Sequence, residues 1–102
     1  MPTRDEVSEI AEKFLLFLKQ RQQKEEEGED SRSVEMKDVL MIKLLLEGVD
    51  IKNFKDIQKG VEVNLRKYPR LREWTKEMIH NHQSYLFLLI AALRSGIPTA
   101  LH

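Results

Sequence analysis

Two short stretches of this chain stay apolar on every side when wound into a helix. The first holds Val39, Leu40, Met41, Ile42, Leu44, Leu45 and Leu46, and the second runs from Tyr85 to Leu93. A helix without a polar face either crosses a membrane or is enclosed by the rest of its fold. Both stretches are well short of the ~20 residues needed to cross a bilayer. They are therefore expected at the centre of a small globule, with more polar helices outside.

The flanking segments supply such helices. Val7, Ile10, Ala11, Phe14, Leu15 and Leu18 recur at helical spacing, with Phe17 at the edge of the stripe and Leu16 nearly opposite, hence exposed. Thr3 reads as the N-cap, with Glu6 completing a capping box. The pattern fades into Gln20–Lys24 and the acid run Glu25–Asp30, which reads as a solvated helix end or an acidic docking patch. Gly28–Ser33 reads as a polar linker. Ser33 is placed to cap the second helix, with Glu35 in its first turn. Gly48 ends that helix, and Val49 follows where a Schellman motif places its apolar contact.

Asn53 can cap a third helix carrying Phe54, Ile57, Val61, Leu65 and Tyr68. A strand competes over 60–67, because Val61, Val63 and Leu65 alternate with polar residues; helix is preferred because only Val63 fails the 3.6-residue spacing. Pro69 interrupts. Beyond it Leu71, Trp74, Met78, His82, Leu86, Leu89 and Leu93 share one face, which predicts a single helix from about Arg70 to Arg94, ended by Gly96, Ile97 and Pro98.

The fold class expected is all-α, with 1–102 forming one domain. Shifting the chain by 48 residues superposes Leu40 on Leu88, Ile42 on Ile90, Leu45 on Leu93, Gly48 on Gly96 and Val49 on Ile97. The flanking helices match less well, Phe14 falling on Glu62. Two helix–linker–helix repeats, 1–50 and 51–102, are thus a candidate architecture, packed through their apolar helices.

The 17 basic and 17 acidic residues cancel overall but are unevenly placed. Residues 1–50 carry 8 Lys and Arg against 13 Asp and Glu, and residues 51–102 carry 9 against 4. Either the two halves attract each other within the fold, or the basic half meets a polyanion. The chain opens Met1-Pro2-Thr3-Arg4-Asp5-Glu6, with acids where a signal peptide has its basic region, so a cytoplasmic protein is expected. It has no cysteine, which fits a reducing or a hot compartment.

Signatures of chemistry are missing, and no enzyme activity, cofactor or metal is expected. The four glycines are isolated, so no phosphate loop or dinucleotide fingerprint forms, and there is no nucleophile elbow. Glu9 and Glu12 lie on a charged helix face. His80 and His82 are two apart on a helix and point away from each other, so they cannot share one ion; His82 is expected as a hydrogen-bonded core histidine.

Two kinds of partner remain. The first is a protein or peptide held in a groove between the helical units, near Leu16, Phe17, Phe54, Tyr68 and Trp74. Leu16 is also a candidate contact between copies, and the oligomeric state is open. The second is nucleic acid. Residues 39–68 resemble a helix-turn-helix in outline, with Gly48-Val49-Asp50 and Gly60-Val61 as the breaks and Glu62–Tyr68 as the recognition helix. That resemblance implies DNA contacts from Asn64, Arg66 and Lys67, extended by Arg70, Arg72 and Lys76 across the basic segment 62–76. The interval from Asp50 to Gly60-Val61 is one residue longer than the motif's, and Lys55 stands where the motif has a small residue.

In length, Lys/Glu/Leu/Ile-rich composition and lack of cysteine, the whole chain resembles the small orphan proteins of filamentous viruses that infect hyperthermophilic archaea. The resemblance implies a viral accessory protein of the host cytoplasm with a protein or nucleic-acid partner. No motif carries it, so it transfers no functional residue.

Overall fold

A computed structural model describes residues 5–23 and 34–95. The described residues form five helices: α1 Glu6–Gln23, α2 Met36–Leu45, α3 Phe54–Lys67, α4 Leu71–Asn81 and α5 Gln83–Ser95. All are α-helical, so the fold class is all-α. No described helix is long and apolar enough to cross a membrane.

Each helix start has a local cause. Asp5 takes the capping role that the sequence assigns to Thr3: the Ser8 amide donates to its Oδ1 at 2.9 Å. Thr3 itself, like Ser33, the acid run Glu25–Asp30 and the Gly96–Pro98 stop, lies outside the described residues. Glu35 holds the N-cap position of α2 without a side-chain bond. Asn53 caps α3 as expected, accepting from the Lys55 amide at 3.0 Å. α3 is helical throughout 60–67, and Val63, the residue that favoured a strand, is exposed.

Gly48 takes a φ of +73°, the left-handed conformation that turns the chain out of α2. The turn lays Val49 on α3 at Gly60, where a Cβ would stand 2.7 Å from the valine Cγ2. Gly60-Val61 is therefore a point of close packing inside a continuous helix. The second break of the helix-turn-helix outline does not form.

The predicted single helix over 70–94 is also corrected. His82 leaves helical geometry, with φ −135° and ψ 49°, and divides the segment into α4 and α5. The Gln83 side chain donates to the Ile79 carbonyl at 2.8 Å, replacing the backbone donor that an unbroken helix would offer. His82 is only partly buried, with Nε2 3.8 Å from Glu77, and is not the core histidine expected.

A single hydrophobic cluster joins all five helices, with Phe14, Ile42, Leu45, Ile57, Leu65, Leu71, Leu86 and Leu89 among its fully enclosed side chains. α1 packs on α3 and α4, while α2 packs on α5, α3 and α4. The two most apolar helices thus meet, but neither is enclosed on all sides. Val39, Ile42 and Leu45 of α2 face inward, whereas Met36 and Leu40 are 50% and 48% exposed. Ala91 of α5 is likewise exposed.

The charge asymmetry is used inside the fold. Arg66 meets Asp5 at 2.9 Å, Lys76 meets Glu6 at 2.8 Å, and Lys67 meets Glu47 at 3.6 Å. Each pair joins the acidic first half to the basic second half.

Candidate interaction groove

The uncovered side of α2 forms one wall of a groove. Lys37, Leu40, Met41 and Leu44 fall on one stripe at helical spacing and line it. The opposite wall is the corner where α3 turns into α4, contributing Lys67, Tyr68, Pro69, Arg70, Leu71 and Trp74. The corner is tight because Tyr68 closes α3 and Pro69 cannot continue it; the Leu71 amide then donates to the Tyr68 carbonyl at 2.9 Å and α4 begins. The enclosed space is about 670 Å³.

A buried polar cluster holds the walls in register. The Trp74 indole Nε1 donates to Asp38 Oδ1 at 2.9 Å, with both side chains buried. The Tyr85 hydroxyl accepts from the Glu35 amide at 2.8 Å and also hydrogen-bonds Asp38. Burial, and then the Asp38 carboxylate, push the Tyr85 phenol above its ordinary pKa. The bonds tie the start of α2 to α4 and α5. They also fix the indole, and hence the groove floor.

The rim is basic. Lys37 and Arg70 are exposed and make no ion pair with a described residue. Lys67 is shared: the Glu47 carboxylate and then the Tyr68 phenol group raise its pKa, and its Nζ lies 5.4 Å from the centroid of the Tyr68 ring. Glu47 also accepts from the Tyr68 hydroxyl at 3.1 Å.

No family model, characterised protein or solved structure matches the chain. The residues themselves carry the argument.

The residues singled out for partner binding do not all converge. Tyr68 and Trp74 meet in the groove. Leu16 is exposed on α1, as expected, and Phe17 is buried with its ring centroid 6.2 Å from that of Phe14. Phe54 lies under the Lys19 ammonium at 5.8 Å and lines a separate recess of about 70 Å³ with Leu18 and Phe87.

The residues singled out for nucleic acid are engaged within the fold. Asn64 is buried, its Nδ2 donating to the Leu45 carbonyl at 2.8 Å and the Glu47 carbonyl at 3.0 Å, where it closes the end of α2. Arg66 and Lys76 pair with Asp5 and Glu6, and the Arg72 Nε approaches the Leu65 carbonyl at 3.4 Å. Arg70 remains, on the groove rim.

A second cavity of about 690 Å³ lies between α1 and the α4–α5 junction. It is lined by charges of both signs, and its Lys76 already bonds Glu6 and Glu73. Among the described residues no group of three His, Asp or Glu side chains is placed to hold a metal ion. Sequence reasoning missed Leu40, Met41 and Lys37 because it took α2 to be enclosed. The available signal was the excess of leucines and methionines in α2 over what one buried face requires.

Proposed function

We propose that the protein is a non-enzymatic protein–protein interaction module that binds a peptide or helix of a partner in the groove between α2 and the α3–α4 corner. One observation carries this reading: Leu40 stands half-exposed beside Met41 and Leu44, facing an apolar wall that includes Tyr68 and Trp74. A large aliphatic side chain left at the edge of an apolar cleft gains free energy when a partner covers it. One wall comes from the first half of the chain and the other from the second, so the groove lies at the junction where a binding site is expected. Methionine suits such a wall, since its unbranched side chain adapts to different occupants. A viral accessory role in a host cytoplasm is compatible with a module of this kind, although the groove reading does not rest on that origin.

The experiment is a selection from a library of displayed helical peptides against the immobilised full-length chain, repeated against Leu40→Glu. The chain has one tryptophan, Trp74, and it lines the groove, so its fluorescence reports occupancy directly. Selected peptides should shift Trp74 emission and lose binding to Leu40→Glu by at least about tenfold, the loss expected when a charge is set in an apolar contact. Peptides indifferent to Leu40→Glu and silent at Trp74 would sink the reading.

A further inference from the structure

Resting on the groove reading above, we infer that the preferred occupant is an amphipathic helix whose apolar stripe is flanked by aspartate or glutamate. The fold limits the form of the occupant first. The described residues contain no sheet edge that could add a strand, whereas the groove runs beside a helix whose Leu40, Met41 and Leu44 stand three, four and seven residues beyond Lys37 on one stripe. A partner helix offers the matching stripe, with anchors one turn apart that reach between Leu40 and Trp74.

Charge then limits its chemistry. Among the described residues, the side chains lining the groove that carry a charge at neutral pH are all cations: Lys37 on the α2 wall, Lys67 and Arg70 on the other. The Lys67 charge is partly answered by Glu47, 3.6 Å away, while Lys37 and Arg70 pair with no described residue. An occupant with acids on both flanks of its apolar stripe would meet opposite charge along each lip. One with basic flanks would meet like charge on both. The apolar floor also argues against nucleic acid, whose backbone offers nothing to Leu40, Met41 and Leu44. The chain's own run Glu25–Asp30 has charge of the right sign but no apolar residue to fill the floor.

The test uses two synthetic helical peptides with identical Leu and Phe anchors, one flanked by Glu and the other by Lys. Each is titrated into the full-length protein while Trp74 fluorescence and backbone amide NMR shifts are followed. The Glu peptide should bind about tenfold tighter than the Lys peptide at low salt, with the gap narrowing as salt is added. Shifts should concentrate around Leu40 and 67–74. In the double variant Lys37→Glu/Arg70→Glu, which alters only exposed side chains, the preference should disappear or reverse. Circular dichroism melts verify that this variant and Leu40→Glu remain folded.

Equal affinity for the two peptides, with both lost in Leu40→Glu, would overturn the acidic preference and leave the groove reading standing. If neither peptide binds and selected peptides also ignore Leu40, the groove reading falls and this inference with it. A Trp74 signal that tracks protein concentration without peptide would identify a second copy as the occupant. Displacement of the Glu peptide by duplex DNA would identify a polyanion site. Either result overturns the proposal.

Discussion

The indole N–H of Trp74 donates to the carboxylate of Asp38 across 2.9 Å in the protein interior, joining α4 to the first turn of α2. Among the described residues no cation pairs with this buried carboxylate; its partners there are the Trp74 indole and the Tyr85 hydroxyl. Asp38→Ala would leave both donors buried and unanswered. The expected loss of stability in urea unfolding is about 2–3 kcal/mol, with Asp38→Asn losing about half as much because it keeps an acceptor for the indole. A neutral Asp38→Ala would show that the cluster does not hold α2 in place.

Thr75, one residue along α4, has the opposite problem. It is fully buried, and its hydroxyl has no hydrogen-bond partner among the described residues. Valine has nearly the same shape and no polar atom to desolvate, so Thr75→Val should stabilise the protein by about 1 kcal/mol. Thermal and urea denaturation would both register the gain. A loss would mean that the hydroxyl finds a partner in solution.

At the start of α1, the Ser8 amide and then Arg66 hold the Asp5 carboxyl down at about 2, against an ordinary value of 3.8. A carboxyl lowered in the folded state contributes stability that is fully present above its unfolded pKa and fades as pH falls from there through the folded value. The contribution of Asp5 should therefore be complete above pH 5 and disappear between about pH 4 and pH 2. Melting temperatures of the wild type and of Asp5→Leu, measured at steps across that range, should converge at the acid end. A gap that stayed constant down to pH 2 would exclude Asp5 as the titrating group.

Gly60 tests the close approach of the 48–50 turn to α3. In an open helix, alanine in place of glycine gains about 1 kcal/mol of propensity. Here the new methyl would lie 2.7 Å from the Val49 Cγ2, and a β-branched side chain has few rotamers to escape into. Overpacking of this kind costs about 1–3 kcal/mol, so Gly60→Ala should be net destabilising by up to about 2 kcal/mol. Val49→Ala should turn the same change into a gain, and a double-mutant cycle measures the coupling.

Helix content was legible because it is written locally. The Asn53 cap, the inward stripe of Ile57, Val61 and Leu65, and the stop at Pro69 all lie within α3 or beside it. The break at His82 was not legible, because Leu71 to Leu93 keep one continuous apolar face. The contact that uses the bend joins Tyr85 to the Glu35 amide, 50 positions away. The groove was hidden for a related reason. The residues of α2 announce that they are apolar, but not which of them the other helices leave uncovered. Tyr68 and Trp74 stood out as aromatics in a basic stretch, whereas Leu40 looked like one more core leucine.

The basic segment 62–76 gives the sharpest distinction between a structural and a recognition role. Asn64 spends its amide donors on the carbonyls of Leu45 and Glu47, and Arg66 and Lys76 are bonded to Asp5 and Glu6. A DNA phosphate would have to displace those carboxylates, and no base edge could reach a buried asparagine. Fluorescence anisotropy of labelled duplex DNA at low salt should therefore show nothing tighter than micromolar, with no steep dependence on added salt. Asn64→Ala should instead cost about 1–3 kcal/mol of folding stability, because it removes the donor that closes the end of α2. Tight, salt-steep binding abolished by Arg66→Ala would mean that these ion pairs open to admit a polyanion, and the charge asymmetry would then belong to recognition rather than to folding.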